Sequence, residues 1–161
     1  VSHDTCDFSC DSIKRGWNFR GRYDYPDASS ILILVDCGGS NGYRHSVFKR
    51  AIQRLADTIS IEICIAHYPS YTSKWNPIEH RLFPPITRKL KGVILKSVER
   101  VKKLIETTTT KAGLVVKCNI IKKTYETGKK MTQEEKDKLR IIHDDYLGHW
   151  NYKAVPCNQQ M

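Results

Sequence analysis

The chain lacks any apolar run long enough to span a membrane: its longest purely aliphatic stretch, residues 31–35, is far short of the roughly 20 residues a spanning helix needs. No charged-then-apolar leader opens it. A soluble, cytoplasmic protein with no membrane partner is the expectation. Cys-x-x-Cys is also missing. The six cysteines, at 6, 10, 37, 64, 118 and 157, alternate with apolar residues as reduced, buried thiols do, which argues against a zinc site. Cys6 and Cys10 lie one helical turn apart, but they share a face with Ile13 and Trp17, so core packing explains them. The Gly-rich turn after residue 36 is neither Gly-x-x-x-x-Gly-Lys-Ser/Thr nor Gly-x-Gly-x-x-Gly, which sets aside nucleoside triphosphate and dinucleotide binding. No internal repeat is visible.

What is present is the material of one globular domain: 161 residues, 40% apolar and 27% charged, enough for a real core. The charge is unevenly placed. Residues 86–130 hold thirteen Lys/Arg and three Asp/Glu, a surplus of ten that equals the whole chain's formal +10. Concentrated positive charge is the footprint expected for a polyanion partner, most simply nucleic acid, although a solvated lysine face kept for solubility accounts for it as readily.

In chain order, residues 4–17 read as a helix capped by Asp4, with Cys6, Cys10, Ile13 and Trp17 on one face, followed by a polar loop through Gly21 and Pro26. Residues 31–35 are unbroken branched aliphatics, which predicts a strand buried on both faces that delivers Asp36 at its carboxyl end. Val47, Phe48, Ala51, Ile52, Leu55 and Ile59 mark an amphipathic helix, and residues 61–68 a second strand, so the crossover implies a parallel pair. A polar loop through Lys74 then leads to a helix start at which Asn76 can cap, Pro77 suits the first position and Glu79 falls in the first turn. Pro84 and Pro85 should break that helix. Ser97 caps a further helix with Val98, Val101, Leu104 and Ile105 as its buried stripe and Lys96, Arg100, Lys102 and Lys103 as its wet one. The threonine run at 107–110 ends it. Residues 114–121 read as a strand, Thr132 to Glu135 as a capping box, and residues 150–155 as a last edge strand.

Asp36 and Glu79, each at an element end, are expected to converge as a hard-cation site, since carboxylate oxygens select Mg²⁺ or Mn²⁺ over softer metals. Lys74, Asn76, His80 and Arg81 flank Glu79 and suit phosphate contacts, as do Lys102 and Lys103 on the wet face. Asn76 has a full explanation as a cap. His67 and His80 are candidates near the metals, with a hydrogen-bonded spectator the more ordinary role. Trp75 suits either stacking on an unpaired base or packing under the helix. Backbone N–H groups at 38–42 suit a phosphate, against the plainer reading of a strand-to-helix turn.

Together, Asp36-Cys-Gly-Gly-Ser-Asn-Gly, His67-Tyr-Pro, Thr72-Ser-Lys-Trp-Asn-Pro-Ile-Glu79-His-Arg-Leu-Phe, the threonine run and Gly148-His-Trp-Asn-Tyr resemble the Rhodopirellula-type DDE transposase domain over nearly the whole chain. Those domains belong to bacterial insertion sequences related to the mariner-like recombinases. The resemblance implies an RNase H-like α/β fold, two-metal cleavage and strand transfer on DNA, Asp36 as the second acid of the triad and Glu79 as the third. A first acid on an earlier strand has no candidate. The expectation is therefore a single partial catalytic domain, residues 1–161, lacking the first three strands, inactive alone and prone to self-association. A non-catalytic DNA-binding module or transposase relic is the alternative. A doubly wound metal-dependent phosphohydrolase would use Asp36 too, but gives no reason for the concentrated charge.

Overall fold

The computed structural model describes residues 5–36, 38, 42 and 44–157. The chain divides into two compact units, one of residues 1–72 and 124–161, the other of residues 73–123. They are described in turn.

The first unit is an α/β layer. Its helix α1, Cys6–Gly16, is capped by Thr5, whose hydroxyl accepts the Phe8 N–H at 3.2 Å. Asp4, the cap expected from the sequence, lies outside the described residues. The expected loop after residue 17 is instead helical: a π turn, Trp17–Gly21, runs into the short α2, Arg22–Asp24. Gly16 and Gly21 keep right-handed helical angles, and glycine weakens a helix without having to end it. At Gly21 a Cβ would stand 2.5 Å from the Trp17 ring, so the missing side chain lets the indole lie across the turn.

Strands β1, Ser30–Val35, and β2, Glu62–His67, pair in parallel from Ser30↔Glu62 to Val35↔His67, with α3, Ser46–Ile59, as the crossover. That much follows the sequence pattern. The strand β4, Asn151–Ala154, pairs antiparallel with β2 and with β3, Ile141–His143, giving the order β1-β2-β4-β3. Thus the strand read as a last edge is internal, because a three-residue strand too short for any periodicity lies outside it. The helix α7, Gln133–Asp137, opens with the expected capping box of Thr132 and Glu135.

One face of the sheet is covered. Phe48, Ala51, Ile52, Leu55 and Ala56 of α3, with Cys6 and Cys10 of α1, pack on Ile63, Ile65, Tyr152 and Ala154, and β1 adds Ile31, Ile33 and Val35. The alternate residues of β1 do not share this burial: Leu32 is 63% exposed and Leu34 41%. The expectation of a strand buried on both faces is therefore corrected, since α1 and α3 cover only the odd-numbered side. Gln53 fastens α3 to the last strands: its Nε2 donates to Val155 O at 2.7 Å and to Asp57 at 3.0 Å, and its Oε1 accepts the Arg140 N–H at 3.0 Å. Residues 124–130 strap α1, with Tyr125 donating to Asp11 at 2.8 Å and Lys129 pairing with Asp7 at 2.7 Å.

The second unit is helical. A 3₁₀ turn, Ser73–Trp75, leads into α4, Ile78–Arg81, then α5, Phe83–Leu90, and α6, Val98–Glu106. Pro84 and Pro85 do stop the Glu79 helix, and they also start α5, where a missing N–H costs nothing. Ser97 caps α6 by accepting the Arg100 N–H at 3.2 Å. Val101, Leu104 and Ile105 are half-buried as expected, whereas Val98, at the helix's first position, is 60% exposed. The strand expected at 114–121 is absent. The second unit contains no other strand to satisfy its backbone, and a lone strand is not stable. No described helix is long and apolar enough to cross a membrane.

Candidate catalytic and nucleic-acid interface

Asp36 follows directly on β1, at the carboxyl end of a parallel pair, and is exposed. The Tyr68 N–H donates to Val35 O at 2.7 Å, so pairing with β2 continues up to the residue before the acid. The Gly38 N–H approaches Asp36 Oδ1 at 3.4 Å, an Asx-type arrangement that leaves the carboxylate free to take a ligand. Most of the Gly-rich turn, 39–41, and Cys37 lie outside the described residues.

Behind Asp36 stands His67, the last residue of β2 and buried. Its Nδ1 lies 3.4 Å from the Asp36 main-chain oxygen and its Nε2 3.3 Å from the Tyr152 hydroxyl. A carbonyl only accepts, so Nδ1 carries the proton and Nε2 accepts from the tyrosine. Burial holds the imidazole below its usual range, and the Lys49 charge adds to this; the hydrogen bond to Asp36 and the Asp36 charge oppose it. Burial likewise pushes the Tyr152 hydroxyl well up. His67 thus belongs to the support of Asp36, a neutral spectator with both nitrogens engaged.

Glu79 lies in the first turn of α4 in the second unit, exposed. The helix is assigned one residue later than the sequence predicts. Even so, Asn76 Oδ1 accepts the Ile78 N–H at 3.3 Å, so the asparagine does cap it. An imidazole nitrogen of His80 meets the Lys74 carbonyl, closing the turn over residues 74–80. Lys74 Nζ lies 5.2 Å from the Trp75 ring centre, and Trp75 is 68% exposed, which favours a surface role over packing. Lys74, His80 and Arg81 are exposed around Glu79. On α6, Lys103 is exposed and Lys102 reaches Glu106 at 3.7 Å. The second unit brings Lys74, Asn76, Glu79, His80 and Arg81 together on one short stretch. Asp36 belongs to the first unit.

Asp36 and Glu79 each present an exposed carboxylate, and carboxylate oxygens suit a hard cation. Among the described residues no three His, Cys, Asp or Glu side chains group closely enough to hold a metal. Cys6, Cys10, Cys64, Cys118 and Cys157 form no disulfide; Cys6 and Cys10 are buried as expected, whereas Cys64 and Cys118 are half-buried and Cys157 is exposed.

Sequence reasoning passed over a cleft in the first unit. It has a volume of about 780 Å³ and is lined by Arg44, Lys49 and the 143–150 turn between β3 and β4. Gly148-His-Trp-Asn-Tyr was the one signal for it.

Comparison with known proteins gives one family. No curated protein and no solved structure matches the chain. A family model described as the Rhodopirellula transposase DDE domain matches residues 1–156, a span that includes Asp36, Glu79 and the basic stretch between 86 and 130. Domains of that kind generally use divalent metal ions and point to DNA as the partner. The chain belongs to the Rhodopirellula transposase DDE domain family.

Proposed function

We propose that this chain is part of an RNase H-like catalytic domain of a cytoplasmic DNA transposase, in which Asp36 and Glu79 are the second and third metal-holding acids. The observation that carries this reading is the exposed Asp36 carboxylate at the carboxyl end of the parallel β1–β2 pair, in a chain of this family. Held by Asp36 and Glu79, divalent ions such as Mg²⁺ or Mn²⁺ would supply activation of a water or DNA 3′-hydroxyl and charge stabilisation at the leaving oxygen. Asp36 and Glu79 hold and orient; neither attacks. Lys74, Asn76, His80 and Arg81 contact the phosphates beside Glu79, while Lys102 and Lys103 add to the positive field that draws DNA in. Asp36 and Glu79 are two of the three acids this reading requires. The edge of β1, unpaired among the described residues, promotes self-association by strand addition.

A second reading, a DNA-binding module without turnover, draws on the lack of a three-ligand group among the described residues. Manganese titration by NMR separates the two. Paramagnetic broadening centred on Asp36 and Glu79, and lost in Asp36→Ala, is expected of the catalytic reading; broadening elsewhere, or unchanged by the substitution, rejects it.

A further inference from the structure

Lys49 leaves the first turn of α3, and its ammonium lies 3.4 Å from Nε2 of His143 and 5.0 Å from the centre of the Tyr152 ring. Neither partner is an anion. His143 Nδ1 lies 2.6 Å from the Gly148 carbonyl, so the proton sits on Nδ1 and Nε2 offers Lys49 its lone pair. No carboxylate among the described residues pairs with this lysine. Its environment is already dry enough that burial holds the ammonium below the usual lysine range. A half-buried cation resting on a lone pair and an aromatic face is short of a counter-charge. The N-cap of α3, His45, supplies no side-chain acceptor, so the positive end of the helix adds to the same field.

The surroundings say what kind of anion fits. Lys49 and His143 line the cleft with Arg44, Tyr146, His149 and Trp150. Tyr146 is 91% exposed and offers an unused aromatic face. Two acids also line the cleft. Asp144 Oδ1 accepts the N–H groups of Tyr146 at 3.0 Å and Leu147 at 2.7 Å, and Asp145 is the second carboxylate of the lining. Cations interleaved with aromatic rings suit an unpaired nucleic-acid strand, whose phosphates take the charge and whose bases stack.

Position ties the cleft to Asp36. Ala66 pairs with Asn151 and Val35 with His67, so the β3–β4 turn lies at the same end of the sheet from which Asp36 emerges. The charges of Lys49 and Asp36 are both felt by the one imidazole of His67.

We propose that this cleft is a phosphodiester subsite for a single DNA strand, in which Lys49 exchanges the His143 lone pair for a phosphate oxygen. The inference rests on DNA being the substrate in the function proposed above. It assigns a contact in the first unit, apart from the basic stretch of the second.

The experiment follows the His143 ring signals by NMR while a short single-stranded oligonucleotide is titrated into the chain with EDTA present, with the same sequence as a duplex for comparison. The signals should move, since His143 loses its lysine, and should move less with duplex. Lys49→Gln should weaken binding about three- to tenfold and flatten the slope of log affinity against log salt by about 0.7, one single-strand phosphate contact; Lys49→Arg should restore both. Lys103→Gln should flatten the slope yet leave the His143 response intact. Binding that leaves His143 unmoved, or no binding at low salt, overturns the subsite, and the unsubstituted chain suffices to see either. A chain that takes Mn²⁺ at Asp36 while His143 stays silent loses only this inference. One whose His143 responds but that takes no Mn²⁺ keeps it and loses the metal reading.

Discussion

Residues 73–123 hold thirteen lysines and arginines against three acids, whereas the rest of the chain holds fourteen of each. Burial divides along the same line. The first unit encloses Ile52 and Ile63 at 0% exposure, under a helix and against a sheet. In the second, Pro85 and Thr108 are the only described residues classed as buried, and the Thr108 hydroxyl has no hydrogen-bond partner. Hydrophobic burial therefore stabilises the unit that carries Asp36, while the unit that carries Glu79 depends on caps and half-buried stripes, with a field of positive charge. A nucleic-acid partner would offset the mutual repulsion of those cations, so a basic, lightly packed unit has most to gain from binding.

The sharpest way to break the comparison is a cavity. Ile63→Ala in β2 should cost about 2–5 kcal/mol, because the methyls it removes are enclosed and the sheet can collapse only partly. Leu104→Ala in α6, half-buried, should cost well under half as much. Urea unfolding of both variants measures this, and equal costs would mean the second unit is as tightly built as the first.

Next comes the thiol inside the core. Burial pushes Cys10 from its ordinary 9.0 up to about 12, with Cys6, Asp7 and Asp11 adding to it. The folded-state value is raised, so the protonated thiol's contribution is complete below pH 9 and is lost as pH climbs from 9 towards 12. Cys10→Ala, although less stable at pH 7, should lose less further stability over that interval than the unsubstituted chain. Parallel curves would place the alkaline sensitivity elsewhere.

A smaller effect tests the polar fastening of the same core. Gln53→Ala strands the Arg140 N–H and the Val155 carbonyl, and about 1–3 kcal/mol should go with them. Faster amide exchange at Arg140 is the accompanying sign, because that N–H loses its acceptor.

How far this contrast could be read from sequence depends on the range of the interaction. The stripe from Val47 to Ile59 and the aliphatic run before Asp36 gave α3, β1, β2 and their parallel pairing, since period and crossover length are local properties. Ser97 and Thr132 announced their helices for the same reason. Residues 114–121 show the converse: an alternating pattern makes no strand without a neighbour. The three residues of β3 have no period at all, yet they place β4 inside the sheet and carry His143 to Lys49. At the site, Asp36 and the first-turn position of Glu79 were legible as motif. The isolation of Lys49 was not, because its partners come from residues 94 and more positions away.

The smallest prediction concerns a cap. Ser97 accepts the Arg100 N–H at the start of α6, and nine residues of helix depend on that end being satisfied. Ser97→Ala should cost about 1 kcal/mol, the usual worth of such a hydroxyl, with Ser97→Asp restoring most of it. In a unit with so little enclosed surface, the loss should appear as local opening: amide exchange across Val98–Glu106 speeds about fivefold, while Ile63 and Ile65 of β2 keep their rates. The matching cap of the first unit, Thr132 on α7, serves as control, and Thr132→Ala should likewise leave α6 untouched. If exchange at Ile63 rose in step with α6 in Ser97→Ala, the two units would be unfolding as one, and the separation of a packed sheet unit from a cap-dependent basic unit would have to be abandoned.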